Sequence, residues 1–350
     1  MEMKEFEKYC INVNCTLRDA LAMLNDLSAD TQTLIAVDEN NMLKGTLTDG
    51  DIRRGLINGS QLTERVSSIM HTNCKYLYDG NIDVVLLKQA RAALISLLPI
   101  ISVDKQVVDI LNLQKYKSLL PIDAVIMAGG KGERLRPLTL TTPKPLLPVG
   151  NKAIIDHNVD RLIAYGVKNI LVTVNYLAEQ LEEHYSEPHN GVQIQCVHEP
   201  KFFGTMGAVR LVKQFQNDVI LVMNSDLFTD IDFEDMYLHF MENNADMSVA
   251  AVPYNVSVPY GIFNLEGRNI IGLQEKPVFN YYANAGIYLI KISALSFIPK
   301  DEHFDATDLI DKLVSEKKSV IRYPLNGTWI DIGTMSEYQK AQDMARHTMI

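Results

Sequence analysis

A glycine-rich turn followed by fixed cations is the segment of this 350-residue chain with the clearest chemistry. Residues 128–148 read AGGKGERLRPLTLTTPKPLLP, so Arg134 follows the glycines closely and Lys144 stands between two prolines. Glycine lets backbone N–H groups approach a ligand, and the cations neutralise negative charge. The pattern indicates a polyphosphate site. It is not a Walker A loop, because no Gly-Lys-Ser/Thr stands at the required spacing, and the third glycine of GxGxxG is missing.

Alternating strands and helices are expected to position this loop. The predicted strands are 123–128, 169–174, 192–197 and 219–223, and the predicted helices are 154–165, 178–184, 205–214 and 233–243. This succession predicts an α/β fold with a mainly parallel sheet and helices on both faces. Ligands bind at the carboxyl ends of such strands. Because the glycine loop and Asn224-Ser225-Asp226 both follow strands, we expect them to share one crevice.

The loop resembles the signature of the sugar-nucleotidyltransferase family. That signature is Gly-Gly-x-Gly-x-Arg-Leu-x-Pro-Leu-Thr followed by Pro-Lys-Pro, and this chain matches it, with Glu133 where Ser or Thr is commoner. The resemblance covers roughly residues 122–345. It implies a Rossmann-like nucleotidyltransferase sheet and an enzyme that joins a nucleoside triphosphate to a sugar 1-phosphate.

The resemblance also implies roles for the residues of the loop. Arg134 would meet the pyrophosphate leaving group, and Lys144 would meet the α-phosphate and the sugar phosphate. The backbone that cradles the triphosphate would come from Ala128, Gly129, Gly130 and Gly132. Elementary chemistry agrees, because catalysis at a phosphorus ringed by negative oxygens is mostly positioning and charge neutralisation. The alternative for Lys144, a solvated surface lysine, fits poorly with its two flanking prolines.

Two aspartates match the family's metal-binding positions. Asp226 ends the apolar stretch 218–226, and Asp331 lies within 327–333. Taken singly, an Asp at a strand end is more often a cap or turn residue. Magnesium, however, takes one or two carboxylates together with substrate phosphates. We therefore expect Asp226 and Asp331 to hold Mg²⁺ as the cofactor.

Three further segments match the family's substrate-selecting motifs. Glu199, Gly204 and Thr205 would meet the nucleotide, the last two through free N–H groups at a helix start. A carboxylate only accepts hydrogen bonds, so Glu199 favours the two adjacent donors of guanine, although some uridylyl members also carry Glu there. The sugar phosphate would contact Gly261, Glu275, Lys276 and Asn284. Nothing in these motifs separates gluco from manno sugars.

The N-terminal segment is interpreted as a duplicated module. A helix at 17–27, strands at 34–37 and 42–47 and a helix opening at Thr48 are followed about 60 residues later by a similar set. The segment 45–53 is similar to the ligand-facing corner of a CBS domain, in which Thr48 and Asp51 would touch an adenine nucleotide. Asn112 and Lys115 replace them in the second copy. An adenine-nucleotide sensor and a dimerising scaffold both remain open.

These segments predict a CBS-domain pair over 1–117, a linker over 118–121 and a nucleotidyltransferase domain over 122–350. The net charge of −10 argues against nucleic-acid and membrane partners. The four cysteines lack metal-ligand spacing, and the charged N-terminus is unlike a signal peptide. We expect a cytoplasmic protein that is a homo-oligomer through its CBS module.

The domain order is similar to that of glucosamine-1-phosphate guanylyltransferases of legionaminic acid synthesis. The sequence therefore predicts transfer of GMP from GTP to a hexosamine 1-phosphate, with glucosamine 1-phosphate favoured. The alternatives are mannose-, glucose- or heptose-1-phosphate guanylyltransferase, then a uridylyltransferase. A non-catalytic regulatory subunit is a further alternative, which the presence of Lys144 and both aspartates disfavours.

Overall fold

The structure is a computed structural model that describes residues 5–347. The first four residues, which form part of the charged N-terminus, and the last three lie outside the described residues. The chain divides into two compact units. One comprises Met1–Leu120 with Ala164–Gly166, and the other comprises Pro121–Ile163 with Val167–Ile350. Within residues 5–347, no helix combines the length and the apolar character needed to cross a bilayer.

The N-terminal unit consists of short strands and helices that occur in two similar sets. Its elements are β1 (Cys10–Asn12), α1 (Leu17–Asp26), β2 (Thr33–Val37), β3 (Leu43–Thr48), α2 (Asp49–Ile57), β4 (Leu77–Tyr78), α3 (Val84–Ala92), β5 (Leu97–Ile101) and β6 (Val107–Asn112), with 3₁₀ turns at Glu5–Tyr9 and Val66–Ser68. Helix α1 begins with a capping box that the Thr16 and Asp19 side chains form.

The two sets have the same strand pairing. In each three-stranded sheet the first strand runs parallel to the second, and the second forms an antiparallel hairpin with the third. Reciprocal hydrogen bonds join the hairpins: Leu43 N–H donates to Lys105, and Val107 N–H donates to Asn41. This symmetry supports the duplication inferred from the sequence, and it gives the two sheets a shared core that includes Ile35, Leu97 and Ile101.

Within the described residues, the larger unit contains thirteen strands and six α-helices. Its elements are β7 (Asp123–Met127), β8 (Pro148–Val149), β9 (Lys152–Ala153), α4 (Ile154–Ala164), β10 (Ile170–Val174), α5 (Ala178–His184), β11 (Ile194–His198), α6 (Gly204–Gly207), β12 (Val219–Asn224), β13 (Leu227–Thr229), α7 (Phe233–Glu242), β14 (Met247–Ser257), β15 (Ile262–Glu266), β16 (Asn269–Gln274), β17 (Val278–Lys291), α8 (Ala306–Ser315), β18 (Val320–Pro324), β19 (Trp329–Asp331) and α9 (Met335–His347). Single 3₁₀ turns lie at Glu133–Leu135, Leu138–Leu140, Lys144–Leu146, Ala208–Leu211 and Ile292–Phe297.

A seven-stranded sheet in the order β11-β10-β7-β12-β17-β14-β18 forms the centre of this unit. Four of its six neighbouring pairs are parallel, and only β17 runs antiparallel to both of its neighbours. The prediction of a mainly parallel α/β sheet is therefore confirmed. Strands β7, β10 and β12 are buried along almost their whole length, so both faces of the sheet are covered.

Two features of this unit differ from the sequence-based prediction. The helix predicted over 205–214 is much shorter, because α6 ends at Gly207 and continues only as a 3₁₀ turn. Gly204 has a left-handed φ of +77°, and the N–H groups of Met206 and Gly207 both donate to the Phe304 carbonyl. A tertiary contact thus replaces the regular helical ladder. The second difference is the projection formed by β15, β16 and the distal parts of β14 and β17, which the sequence pattern did not predict.

Candidate active site

The carboxyl ends of β7 and β12 form the floor of the candidate site. The two strands are parallel neighbours, with Asn224 opposite Met127, and the Ser225 N–H donates to the Met127 carbonyl at 3.2 Å. The glycine loop leaves β7 at this edge, and Asp226 follows β12 at the same edge. The structure therefore brings together the two segments that the sequence predicted to share a crevice.

The glycines of the loop are required by close approach of other groups. A Cβ at Gly129 would lie 2.5 Å from Oε1 of Glu199, so any larger residue there would require the Glu199 carboxyl group to move. Gly132 has a φ of +59°, and a Cβ there would lie 3.0 Å from the Cβ of Lys144. Gly130 faces open space. The Ala128 N–H continues the ladder by donating to Thr173 at 3.0 Å, which fixes where the loop begins.

Lys144 is held inside the site. It opens the 3₁₀ turn Lys144–Leu146 directly after Pro143, which has an extended conformation. The residue is only 9% exposed, and its Nζ is hydrogen-bonded to Oδ2 of Asp226 in a short ion pair. The Lys144 charge therefore lies beside Asp226 at the carboxyl end of β12.

Asp226 and Asp331 lie side by side on a two-stranded ribbon. Strand β13 pairs antiparallel with β19, Leu227 lies opposite Asp331, and the Ile332 N–H donates to the Asp226 carbonyl at 3.0 Å. Burial raises the pKa of the Asp331 carboxyl, the neighbouring charge of Asp226 raises it further, and Lys144 and Arg134 act in the opposite direction. Four predicted site residues thus interact within one cluster, the charge cluster (Arg134, Lys144, Asp226 and Asp331).

The donor set of this cluster fits a hard divalent cation. Oδ1 of Asp226 is buried and has no hydrogen-bond partner, and the adjacent Asp331 carboxylate is disfavoured in its charged form by burial. A cation would satisfy both groups. No set of three or more His, Cys, Asp and Glu side chains within residues 5–347 could hold a metal ion. The two carboxylates therefore suit Mg²⁺, which takes few protein ligands and completes its shell with phosphate oxygens and water.

The guanidinium group of Arg134 lies against the backbone of Gly333, two residues after Asp331. A Cβ at Gly333 would lie 3.1 Å from Nη2 of Arg134, so any larger residue at 333 would displace the guanidinium. The side chain of Arg134 itself is exposed at the mouth of the crevice. Its charge is thus available to a ligand at the outer end of the cluster.

Glu199 packs against the glycine loop at Gly129. It is 2% exposed, its Oε2 accepts from the Phe203 N–H at 3.3 Å, and Asn175 Nδ2 donates to its carbonyl at 2.8 Å. Burial raises the pKa of the Glu199 carboxyl, and the Phe203 hydrogen bond partly offsets this effect. The buried carboxylate and the first glycine of the loop therefore fix each other's position.

The segment Gly204–Thr205 differs from its predicted geometry. The Thr205 N–H is not free, because it donates to Oδ1 of Asp305 at 2.9 Å, and Thr205 Oγ1 accepts from the Ala306 N–H at 2.7 Å. A Cβ at Gly204 would lie 2.6 Å from the same Asp305 oxygen. The expectation of free N–H groups at this helix start is therefore wrong for Thr205, and a residue 100 positions downstream fixes the loop instead.

One of the predicted sugar-side residues, Asn284, lies on a strand that is connected to the charge cluster. Asn284 Nδ2 donates to the Tyr288 hydroxyl at 2.9 Å, and its Oδ1 accepts from the Gly286 N–H at 3.0 Å. Gly286 has a φ of +72° and lies against Asn224 at the end of β12. Trp329 Nε1 donates to the Ala285 carbonyl at 2.9 Å. This network connects β17 to β19 and so connects Asn284 to the strand that carries Asp331.

The other sugar-side residues lie on the projection. A Cβ at Gly261 would lie 3.0 Å from Oε2 of Glu275, so Gly261 allows close approach as expected. Lys276 has a left-handed φ of +44°, which is uncommon for a residue with a side chain. Both Glu275 and Lys276 are exposed. Among the described hydrogen bonds and ion pairs, none joins the side chains of Glu275 and Lys276 to the charge cluster.

Thr48 and Asp51 of the N-terminal unit are engaged with each other. Asp51 Oδ2 accepts from the Thr48 N–H and hydroxyl at 2.8 Å and 2.6 Å, and the Thr48 Oγ1 accepts from the Asp51 N–H, which is a capping box for α2. In the second set, Asn112 and Lys115 both contact Asp30. The two predicted ligand residues thus have a structural role, which is to cap α2.

Three neighbours of the site were not identified from the sequence. Asn175 follows β10 directly, so the rule that ligands meet strand carboxyl ends could have found it. Asp305 carries only a local signal, the Asp-x-x-Asp box that caps α8. Gly333 carries no local signal of its contact with Arg134. Long-range packing determines the contacts of Asp305 and Gly333, and the local sequence pattern carries no information about that packing.

With this geometry established, comparison with known proteins identifies the class. The family model described as nucleotidyl transferase matches residues 123–347. The chain belongs to the nucleotidyl transferase family, whose members are enzymes that transfer a nucleotidyl group. The match begins after the N-terminal unit and does not bear on it.

Similar curated proteins are sugar-phosphate nucleotidyltransferases. A mannose-1-phosphate guanyltransferase of Yarrowia lipolytica is 34% identical over 224 residues, which are 61% of this chain and 61% of that protein. The mannose-1-phosphate guanylyltransferase catalytic subunit beta of Danio rerio is 32% identical over 61% of this chain and 62% of its own length. A UTP–glucose-1-phosphate uridylyltransferase of Synechocystis is 28% identical over 62% of each chain. The matches thus span about three fifths of these relatives.

Solved structures share the fold. A candidate glucose-1-phosphate thymidylyltransferase from Bacillus anthracis, solved with sucrose, is 26% identical, has a TM-score of 0.53 and covers 65% of this chain and 97% of that chain. HddC from Yersinia pseudotuberculosis, complexed with GMP-PN, is 21% identical with a TM-score of 0.52 and covers 64% of this chain and 99% of its own. The second likeness concerns the fold alone.

Proposed function

We propose that this chain transfers the nucleotidyl group of a nucleoside triphosphate to a sugar 1-phosphate and releases pyrophosphate. The observation that carries the proposal is the convergence of Lys144, Asp226 and Asp331, with Arg134 beside them, at the carboxyl edge of the sheet. In the reaction, an oxygen of the sugar phosphate attacks the α-phosphorus. The bond from that phosphorus to the bridging oxygen of the β-phosphate breaks, and its electron pair leaves with pyrophosphate.

Each residue of the charge cluster has a part in this displacement. Lys144 neutralises the charge that would repel the attacking oxygen, and the ion pair with Asp226 holds its side chain in place beforehand. Arg134, at the outer end, neutralises the departing pyrophosphate. Asp226 and Asp331 would hold Mg²⁺, which supplies further neutralisation of the phosphate oxygens. The glycine loop orients the triphosphate through its backbone N–H groups.

GTP is the proposed donor because of Glu199. Its carboxylate is buried beside the loop and can only accept hydrogen bonds, and guanine presents two adjacent N–H donors. The names of the Yarrowia and Danio relatives also favour guanylyl transfer. A uridylyltransferase is the alternative, which the Synechocystis relative favours.

Two acceptors are proposed for the sugar side. Glucosamine 1-phosphate follows from the resemblance in domain order to the legionaminic acid enzymes, and mannose 1-phosphate follows from the names of the relatives. Gly261, Glu275, Lys276 and Asn284 are the proposed sugar-phosphate contacts. An enzyme for a hexosamine must accept an amino group at the position where one for mannose accepts an axial hydroxyl, so the two substrates are distinguishable by direct assay.

A substrate grid tests these proposals. The full chain is incubated with Mg²⁺, each of four nucleoside triphosphates and glucosamine, mannose, glucose or heptose 1-phosphate, and pyrophosphate release is measured. We expect the highest kcat/KM for GTP with glucosamine 1-phosphate. A maximum with GTP and mannose 1-phosphate would replace the acceptor and keep the donor. Absence of pyrophosphate release from every pair would contradict nucleotidyl transfer and favour a non-catalytic regulatory subunit.

The N-terminal unit is proposed to be a regulatory CBS pair over residues 1–117, joined by 118–121 to the catalytic domain at 122–350. The duplicated strand pairing supports this, and Thr48 with Asp51 is the proposed contact for an adenine nucleotide. Calorimetric titration of the full chain with AMP, ADP and ATP tests the ligand. Saturable heat that Thr48→Ser retains and Thr48→Val loses is expected, whereas the absence of binding leaves a scaffold role.

A further inference from the structure

The segment between Gly132 and Lys144 joins the glycine turn to the buried lysine, and most of it is exposed. Leu135 and Thr139 are buried, and the other residues of 133–141 are exposed. Each of its two 3₁₀ turns lacks a side-chain cap within the described residues, and their backbone hydrogen bonds span three residues. Short 3₁₀ turns are weakly stabilised by their own hydrogen bonds. The segment therefore needs support from elsewhere in the fold to place the lysine accurately.

Tyr176 and Gln180 supply such support from the end of β10 and the beginning of α5. The Tyr176 hydroxyl donates to the Thr139 carbonyl at 3.0 Å, and Gln180 Nε2 donates to the Thr141 carbonyl at 2.9 Å. Both donors are half-buried. Because they belong to a strand end and a helix, they hold two carbonyl groups of the exposed segment against a rigid part of the domain.

The same strand end also holds the start of the loop. The Ala128 N–H donates to the Thr173 carbonyl of β10 at 3.0 Å, three residues before Tyr176. Asn175 lies between these two positions and donates from Nδ2 to the Glu199 carbonyl at 2.8 Å. The end of β10 therefore contacts the beginning of the phosphate loop, its returning part and the segment that carries Glu199.

The turn that places Tyr176 has an uncommon backbone conformation. Leu177 follows Tyr176 directly and has a left-handed φ of +52° at the start of α5. This conformation is unfavourable for a residue with a bulky side chain, and it persists only where the surrounding structure requires it. The position of Tyr176 is therefore set by the fold rather than by the local propensity of the chain.

A short series of contacts connects Thr139 to Lys144. The Thr139 side chain is fully buried, and its Oγ1 donates to the Gly132 carbonyl at 2.9 Å. A Cβ at Gly132 would lie 3.1 Å from Cγ2 of Thr139 and 3.0 Å from the Cβ of Lys144. The two side chains therefore pack against the same glycine, so a displacement of Thr139 would reach Lys144 through one shared neighbour.

We propose that Tyr176 is a positioning residue for Lys144, with Gln180 as a second support. Its hydroxyl holds the Thr139 carbonyl, and the packing around Gly132 transmits that restraint to the lysine. The inference rests on the proposed function, in which the lysine neutralises charge in the transition state. A residue that only orients a catalytic group changes kcat more than it changes substrate binding.

Steady-state pyrophosphate release by the full chain tests the proposal through Tyr176→Phe, alone and combined with Lys144→Ala. The assay contains Mg²⁺, GTP and the sugar 1-phosphate that gives the highest rate in the substrate grid. We expect Tyr176→Phe to lower kcat about five- to tenfold, the effect of one lost hydrogen bond, and to change both KM values by less than about twofold.

The double variant shows whether Tyr176 acts through the lysine. In the Lys144→Ala background, Tyr176→Phe should change kcat by less than about twofold, because the group that it positions is absent. The same fold reduction in both backgrounds would overturn the proposal, and so would an unchanged kcat in the single variant.

Tyr185→Phe is the matched control for a general structural effect. Tyr185 lies at the other end of α5, and its hydroxyl donates to Oδ1 of Asp156 at 2.9 Å. This variant should lower the unfolding temperature and leave kcat unchanged, and a fall in kcat as large as that of Tyr176→Phe would overturn the proposal. Thr139→Ser keeps the buried hydroxyl and should retain more turnover than Thr139→Val, which loses it.

A measurement without substrate separates this inference from the proposed function. Amide hydrogen exchange across residues 133–147 should be at least about threefold faster in Tyr176→Phe than in the wild-type chain. Equal exchange in the two chains would overturn the positioning role even if the wild-type chain is active. A wild-type chain that releases no pyrophosphate would contradict nucleotidyl transfer, whereas the exchange rates would still decide whether Tyr176 holds the loop.

Discussion

The phosphate end and the sugar end of the candidate site are built in different ways. At the phosphate end, Lys144, Asp226 and Asp331 are held by a parallel sheet, a short ribbon and an ion pair. At the proposed sugar end, the exposed residues Glu275 and Lys276 lie on the projection formed by β15, β16 and the distal parts of β14 and β17, where no side chain is buried. The difference indicates that the charge cluster is held in place by the domain itself, whereas the proposed sugar-side residues Glu275 and Lys276 lack buried support. Substitutions at the two ends should therefore change different kinetic constants.

The largest effect is expected from Lys144→Ala. It removes the buried cation that we propose to face the attacked phosphorus, and we expect kcat to fall by about 10²–10³-fold with the fold retained. Steady-state pyrophosphate release and circular dichroism provide the measurement. Lys312→Ala, which removes an exposed lysine paired only with Glu316, is the control. Turnover within tenfold of wild type would remove Lys144 from the chemistry.

The substitution Asp331→Asn should affect activity and thermal stability in different ways. We expect activity to fall by about 100-fold or more, because a proposed magnesium ligand is lost. Burial and Asp226 disfavour the charged form of Asp331, so the metal-free variant should unfold at the same or a higher temperature. Thermal unfolding with and without Mg²⁺ measures both effects, and Asp311→Asn on the exposed face of α8 is the control.

A clear fall in the metal-free Tm of Asp331→Asn, with activity retained, would contradict this prediction. It would mean that the carboxylate stabilises the ribbon rather than binding a cation. The exposed Asp311→Asn control should change neither measurement, since its charge has no neighbour in the cluster.

Glu275→Gln should act on the other end of the site. We expect KM for the sugar 1-phosphate to rise by about tenfold while KM for the nucleotide stays unchanged, because one charge-assisted contact to a hydroxyl is weakened. Initial rates at varied concentrations of each substrate separate the two constants. Glu266→Gln is the matched control, because Glu266 ends β15 at the tip of the β15–β16 hairpin on the same projection. An equal change in both KM values would show that the two ends are not independent.

The pH dependence of nucleotide binding should report on Glu199. Burial raises the pKa of this carboxyl, so it takes up a proton at a higher pH than an exposed Glu does. The protonated form loses acceptor capacity, and KM for GTP should therefore rise several-fold as the pH falls from neutral to mildly acidic values. Glu199→Gln removes this titration, so its KM for GTP should rise less than that of the wild-type chain over the same pH range. The Glu199→Gln variant should also favour UTP relative to GTP. If its selectivity between the two nucleotides is unchanged, the role of Glu199 is limited to its contact with Gly129.

The smallest effect is expected from Asp305→Ala, which leaves the Thr205 N–H without its acceptor and removes the cap of α8. We expect a rise of a few-fold in the nucleotide KM and a loss of about 0.5–2 kcal/mol of stability. Asp305→Ser can still cap the helix and should recover most of the stability. Thermal unfolding and initial rates measure the two effects, and an unchanged nucleotide KM in Asp305→Ala would show that the loop is positioned without it.

The sequence predicted the phosphate end far better than the sugar end. The glycine loop, Lys144 and Asp226 follow strands whose periodicity is strong, so the rule for parallel sheets placed them correctly. The helix at 205–214 was wrong because Phe304 and Asp305, about 100 residues away, capture the N–H groups of that segment. The projection was not predicted, although segments such as Tyr254-Asn255-Val256-Ser257 alternate apolar and polar residues, because this pattern was not assigned to strands and its side chains line no buried core.

The hydrogen bond from Trp329 to Ala285 has a practical consequence. Trp329 is the single tryptophan of the chain, and it stands two residues before Asp331 and next to the strand that carries Asn284. Tryptophan fluorescence, excited selectively over that of the tyrosines, therefore arises from one indole between the strand that carries Asn284 and Asp331. Quenching or a spectral shift on adding nucleotide, Mg²⁺ or sugar 1-phosphate separately would report the order of binding without any label.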